Sequence, residues 1–430
     1  MAVAVWLIVF LAIFALGYPV AFGMFVSSVL YLILSNIDLS TVINVMIIQF
    51  ENQFVLLAVP LFIFTAKVMN ASKLTDRLFD FAKVLVGPLK GGLGHVNIVA
   101  SIIFAGMSGS EIADVSGLGA VEIKAMKDAG YNGPFACAVT CASATIGPII
   151  PPSIPMVIYS MLSGASVMYL FLGGVIPGFI LAAVLMVLVF ILSIKRKYPT
   201  AELVSLREFV RIFVKSFFVI LAPVILLGGI YGGVFTPTEA AGVVGVYVLI
   251  LSLFVYRTLG LRALYKVFIE TVVNTGFVSF IVACAFIFGY VVAREEIPVL
   301  ITRGFISLGL MKSQMTVLLS LNILFLILGC FIDVSAILLI IVPLVLPLVE
   351  AAGIDLVHFG VVIVFNLMIA LDTPPFGPTA FITSAISQTP LPDVLKEMLI
   401  FIAFELIALA IITYFSDTVL WIPRLAGYQG

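Results

Sequence analysis

The sequence predicts an all-α polytopic membrane protein assembled from two inverted repeats, with about ten transmembrane helices and two re-entrant hairpins. Three observations predict it. Hydrophobic residues make up 63 % of the 430-residue chain and charged residues 10 %, and the mean hydropathy is +1.31, which excludes a water-soluble globule. Two proline clusters, IIPPSIP at 149–155 and DTPPFGP at 372–378, interrupt apolar stretches and correspond at a single offset of 223 residues, pairing Pro151, Pro152 and Pro155 with Pro374, Pro375 and Pro378. The same offset pairs Gly106 with Gly329 and Ala129-Gly130 with Ala352-Gly353. The third observation is the distribution of basic residues. Lys195, Arg196, Lys197, Arg207, Arg211 and Lys215 fill one linker and Arg257, Arg262 and Lys266 another, so both face the cytoplasm.

Taking about 20 apolar residues as one crossing, the chain starts with an apolar segment at 3–34. No basic residue precedes it and no cleavage region follows, so it reads as a retained membrane segment rather than a signal peptide. Gly17-Tyr18-Pro19 either kinks one long helix or turns a short hairpin, and the break at Thr236-Pro237 in the matching part of the second half favours the hairpin. Single spans follow at 54–71, 167–194, 217–234, 239–256, 266–293 and 397–422. Broken helices are expected at 132–161 and 357–388. Gly, Ser and acidic residues interrupt the stretches 95–127 and 314–349, which read as re-entrant hairpins, each preceded by a charged interfacial helix, Ser72–Lys90 and Arg294–Lys312. The first repeat is then 1–205 and the second 206–430, with scaffold and transport domains interleaved across both. Five crossings separate the hairpins, and an odd number makes the second open to the opposite side. Lys73, Arg77, Lys83, Lys90, Lys124 and Lys127 agree with this topology; Arg294, Arg303 and Lys312 dissent.

A net charge of −1, with basic residues scattered over short loops, gives no footprint for nucleic acid. The four cysteines read as small buried hydrophobes, and with His95 and His358 the only histidines no metal centre other than a sodium site suggests itself. The first hairpin and break instead supply hydroxyls and unpaired carbonyls, Gly106 to Glu111 and Ser143 to Pro148, an inventory that suits sodium because a hard monovalent cation takes several neutral oxygens. The second half offers Gly329, Asp333, Thr373, Pro374, Gly377 and Thr379. Asp333 stands where the first repeat has Ser110. An ionised group at the bilayer centre costs roughly 2.5 to 3.5 kcal/mol, so Asp333 is assigned to solute, against a hairpin cap or a proton carrier. Glu111 and Asp114 read as solvated or capping residues, Glu239 as a helix cap, and Asp372 as either an ion neighbour or a tie to the broken backbone.

The segments GMSGSEIADVSGLG (106–119), ATIGPIIPPS (144–153), GVFTPTEAA (233–241) and ALDTPPFGP (370–378) resemble the large membrane subunit of tripartite ATP-independent periplasmic (TRAP) transporters over essentially the whole chain. The resemblance implies an ion-transporter-superfamily-like fold in the bacterial inner membrane, and sodium-driven, elevator-type symport. It also implies a periplasmic substrate-binding protein that delivers the solute and a small TRAP membrane subunit, here a separate polypeptide. Carried over by motif, one sodium site falls at Ser108, Ser110, Gly147, Ile150 and Pro151, and a second at Gly329, Thr373, Pro374 and Gly377; Asp333, Ser110 and Ser153 would contact solute. Two departures matter: Ala105 stands where many relatives carry serine, so only its carbonyl could serve, and Phe331 at the position equivalent to Ser108 makes the two sites chemically unequal. The stretch FENQFVLLAVPLFIFTAKVMN (50–70) resembles the sialic-acid branch, with C4-dicarboxylates and other organic acids as the alternative.

Two rival functions are a channel and an intramembrane serine protease. The latter rests on Gly106-Met107-Ser108-Gly109 and would need His358 as its base.

Overall fold

The computed structural model describes residues 2–51, 53–200, 205–375 and 377–430. Met1, Asn52 in the 50–70 stretch, residues 201–204 near the end of the first repeat and Phe376 in the second proline cluster lie outside the described residues. Regular structure among the described residues is helical throughout. Helices α1 (Ala2–Ala15) and α2 (Val20–Leu34) fold against each other. Gly17 turns the chain at φ +80° and Pro19 stands at the N-cap of α2, so the first apolar stretch is a hairpin, as the sequence indicates. Helix α3 (Ser40–Glu51) has no counterpart in the sequence reading, because twelve residues fall short of a crossing. After α4 (Ala58–Ala71) and the charged α5 (Leu74–Val86), the first hairpin is α6 (Gly92–Ser108), α7 (Glu111–Gly117) and α8 (Gly119–Asp128).

The first broken helix is α9 (Gly133–Ala144) and α10 (Ile154–Ser163). Four long helices or pairs of helices follow: α11 (Val167–Arg196), α12 (Leu206–Tyr231), α13 (Pro237–Ile250) and α14 (Leu261–Arg294) with the short α15 (Ile297–Ser307). The expected cap of α13 is present as a reciprocal pair: Glu239 N–H donates to Thr236 Oγ1 at 3.3 Å, and Thr236 N–H to Glu239 Oε2 at 2.8 Å. The second hairpin is α16 (Gln314–Gly329) and α17 (Val334–Ala351), the second broken helix α18 (Leu356–Asp372) and α19 (Pro378–Ser387), and the chain closes with α20 (Leu391–Tyr414) and α21 (Asp417–Leu425). Among the described residues, six helices are long and apolar enough to cross a membrane, seven if α20 and α21 form one bent span. The expected ten also count α1, α2 and the broken helices, which are shorter. Conversely α17, read as a hairpin arm, is itself long enough to cross.

The two halves pack alike around their breaks. Helix α6 lies on α9 and α16 on α18, while α7 reaches α19 and α17 reaches α10. Residues 357–372 of α18 and 135–144 of α9 are buried on all sides, so neither shows the one-sided apolar stripe of a surface helix. Several of their polar groups are paired internally: Asn97 Nδ2 donates to Thr140 Oγ1 at 2.7 Å, Ser143 Oγ to Asn97 Oδ1 at 2.5 Å, and Asn366 Nδ2 to Asn322 Oδ1 at 3.0 Å. Large apolar side chains such as Tyr265, Phe268, Ile269 and Val272 of α14 are exposed away from the rest of the chain, as a lipid-facing surface requires.

Candidate functional site

Helix ends converge at the two breaks. Helix α6 ends at Ser108, Gly109 turns at φ +59°, and Ser110 caps α7 by accepting from the Ala113 N–H at 3.4 Å. This tip rests on the first break, where Ile154 N–H donates to the Gly109 carbonyl at 3.4 Å and a Cβ on Gly109 would stand 2.7 Å from the Pro152 carbonyl oxygen. Gly147 lies under the same tip, its Cβ position 3.6 Å from the Ser110 carbonyl oxygen. Ser153 caps α10 by accepting from the Met156 N–H at 3.2 Å. In the second half Asp333 caps α17 through the Ser335 N–H at 2.9 Å, Gly329 approaches Ala370 too closely for any side chain, and Gly377 begins α19 at φ +33°. The corresponding Pro151–Pro152 and Pro374–Pro375 peptides are both cis.

Ser110 and Asp333, 223 residues apart, therefore do the same backbone work, each capping the second arm of its hairpin. Asp333 is a cap first; it also lines a cavity of about 850 Å³ between the hairpin tips and the helices α4 and α14. That cavity brings together Ser108, Ser110 and Asp333. Pro148 and Ile154 line it as well, with Ser153 fully buried beside them. Gly147, Ile150 and Pro151 are buried in the break behind the first tip, and Gly329, Thr373, Pro374 and Gly377 gather at the second break rather than on the cavity wall.

One atom at the first tip is free to take a cation. Ser108 Oγ is fully buried and has no hydrogen-bond partner among the described residues, a state it shares with Ser28 Oγ and Ser193 Oγ; unlike those two, Ser108 lies at a hairpin tip and lines the cavity. At the second break Thr373 Oγ1 donates to the Ile369 carbonyl at 2.8 Å, which leaves its lone pairs free to accept a cation.

Glu111 and Asp114 are not solvated. Each is 2 % exposed, and Glu111 faces Asp372, Glu405 and Asp114. Both oxygens of Glu111 and of Glu405, and one each of Asp114 and Asp372, find no donor among the described residues. None of these acids takes part in an ion pair there. Such a concentration of uncompensated acid is costly to bury and is retained next to functional centres. Sequence reasoning missed it because the members come from α7, α18 and α20; the one available signal was Glu405, the sole charged residue between Glu397 and Asp417 in an otherwise apolar run. Asp372 resolves as a tie across the broken backbone, accepting from Thr379 Oγ1. Thr379→Val strips that donor from an acid 1 % exposed and is expected to cost about 1–3 kcal/mol, read as a lower thermal midpoint of the purified protein.

The protease geometry is absent. His358 Nε2 sits 2.9 Å from the Ile412 carbonyl oxygen, bonded away from Ser108, whose hydroxyl has no histidine beside it. All four cysteines are free; Cys137, Cys141 and Cys284 are buried as expected, whereas Cys330 is only half-buried.

The family described as "Tripartite ATP-independent periplasmic transporter, DctM component" matches residues 7–418. The chain is 42 % identical to the sialic acid TRAP transporter large permease protein of Vibrio cholerae, covering 96 % of each chain. It is 37 % identical to the sialic acid TRAP transporter permease protein of Haemophilus influenzae over 99 % of this chain and 68 % of that one. Identity to the C4-dicarboxylate TRAP transporter large permease protein of Pseudomonas aeruginosa is 38 %, over 93 % of each.

Proposed function

The chain belongs to the DctM component family of tripartite ATP-independent periplasmic transporters, and from that premise we propose that it is the permease of a sodium-coupled importer of an organic acid, sialic acid foremost. The observation that carries this reading is the buried, partnerless Ser108 hydroxyl at the end of α6, beside a cavity large enough for a small solute. Helix C-termini present partial negative charge and N-termini partial positive charge. Sodium accordingly sits at the ends of α6 and α9 with Ser108, Ser110, Gly147, Ile150 and Pro151, and at the ends of α16 and α18 with Gly329, Thr373, Pro374 and Gly377. Solute meets the N-termini of α7, α10 and α17 through Ser110, Ser153 and Asp333. The hairpins and broken helices move as one body against α4, α13 and α14, in an elevator cycle that the inverted topology of the repeats makes two-sided.

Sialic acid is favoured by the 42 % identity to the Vibrio cholerae permease; a C4-dicarboxylate is the second reading, favoured by the Pseudomonas aeruginosa relative. A periplasmic binding protein selects and delivers the solute, a small membrane subunit completes the complex, and the assembly resides in the inner membrane. Proteoliposomes holding both membrane subunits, supplied with the cognate binding protein, are expected to accumulate N-acetylneuraminate only under an inward sodium gradient. Flux that persists without the gradient and without the binding protein would return the reading to a channel; accumulation of succinate alone would select the dicarboxylate.

A further inference from the structure

We infer that Lys67, held by Glu270, is a docking point for the carboxylate of the transported solute on the α4–α14 wall of the cavity; this rests on the organic-acid reading above. The charged residues lining that cavity are Lys67, Lys266, Glu111, Glu270 and Asp333. The hairpin side contributes only acids, Glu111 and Asp333, and both cations come from α4 and α14. An anion that leaves water must meet compensating charge, and of the residues lining the cavity those of this wall supply the side-chain cations.

Lys67 lies in the helical stretch Phe54–Ala71, which is otherwise apolar enough to cross a membrane. A cation is kept in such a place where it has a partner or a wet cavity, and Lys67 has both. Its Nζ lies 2.9 Å from Glu270 Oε2, while Lys266 Nζ lies 3.8 Å from Glu270 Oε1. One carboxylate thus bridges two ammonium groups and leaves one positive charge in excess. The Glu270 side chain is 44 % exposed and that of Lys67 25 %, so the pair is open to exchange. A solute carboxylate that replaces Glu270 on Lys67 exchanges like for like, and Glu270 keeps Lys266.

Neutral groups stand beside the pair. Asn70, about one turn along α4, donates through Nδ2 to the Ala113 carbonyl of α7 at 3.3 Å, and its Oδ1 is buried without a partner. Asn274, about one turn beyond Glu270, lines the same cavity. Amides flanking an ammonium suit an acid that also carries hydroxyl or amide groups. Glu270, always at hand to retake Lys67, keeps the contact weak enough for release, as any conducting site requires.

The test uses the full-length chain in complex with its small membrane subunit, in nanodiscs and sodium chloride, titrated with N-acetylneuraminate, succinate and N-acetylneuraminate methyl ester. Lys67→Met is expected to weaken binding of an acid about tenfold or more and to leave the ester unchanged. Glu270→Gln is expected to do the opposite, tightening acid binding severalfold and slowing solute counterflow, because it frees Lys67. Both variants binding the acids like the wild type overturns the inference. So does weakening of acid and ester alike by both variants, which marks the pair as structural. A wild-type complex that binds neither acid in sodium overturns the organic-acid reading itself, and this inference with it.

Discussion

Gly109→Val is expected to abolish sodium-driven uptake while the protein still inserts and purifies. Gly109 holds φ +59° at the first hairpin tip, and a Cβ there would stand 2.7 Å from the Pro152 carbonyl oxygen and 3.4 Å from the Ile154 N. The left-handed backbone costs an L-residue roughly 1–2 kcal/mol, and the forced separation of tip and break adds about 1–3 kcal/mol of overpacking. Both penalties fall on the one junction where Ser108, Ser110 and Gly147 meet. Gly109→Ala keeps the clash but relieves the β-branch, so its uptake should lie between wild type and valine. Gly130→Ala is the control: it also has positive φ but nothing within 4 Å of its Cβ. Uptake in proteoliposomes and a thermal melt of each variant measure the two consequences separately; wild-type uptake by Gly109→Val would show that the tip and break need not touch.

The second large effect is expected from Ser108→Ala. The hydroxyl is fully buried and bonds to nothing among the described residues, so its removal breaks no hydrogen bond seen there and should not lower the melting temperature. If it serves a cation, losing one oxygen ligand costs about 1–2 kcal/mol, a rise of roughly 5- to 30-fold in the sodium concentration for half-maximal uptake. Ser116→Ala is the matched control, since Ser116 Oγ already donates to the Ile112 carbonyl at 2.7 Å on the same cavity. A structural serine would show the reverse pattern, with stability lost and sodium dependence kept. Thr373→Val tests the other break on the same axis, although there the lost bond to Ile369 also lowers stability.

The positions of the breaks were legible in the sequence because proline and glycine act locally. Pro151, Pro152, Pro374 and Pro375 cannot continue a helix whatever surrounds them, and each observed break contains its cluster. The positional equivalence of Ser110 and Asp333 was legible from the offset, but their shared capping role was not: the sequence assigned Asp333 to solute, with the cap as an alternative, and the folded backbone shows the cap. What those residues face was not legible. Glu111 and Asp114 sit at a helical spacing that reads equally well as a solvated surface, and only the folded chain places Asp372 and Glu405 against them. The Lys67–Glu270 pair spans 203 residues, and nothing in either apolar stretch marks the other as its partner.

The sequence by itself thus determined a membrane-embedded, all-helical chain, its internal correspondence at one offset, and the points where its helices stop, because hydropathy, proline geometry and capping are properties of short segments. Only the tertiary structure decided which helix ends share a cavity, that the hairpin-tip Ser108 hydroxyl is left without a partner among the described residues, and which acids and lysines confront one another. Those are facts of juxtaposition, set by helices α4, α7, α14, α18 and α20 packing across hundreds of residues, where the energies that matter depend on burial and distance rather than on spacing along the chain.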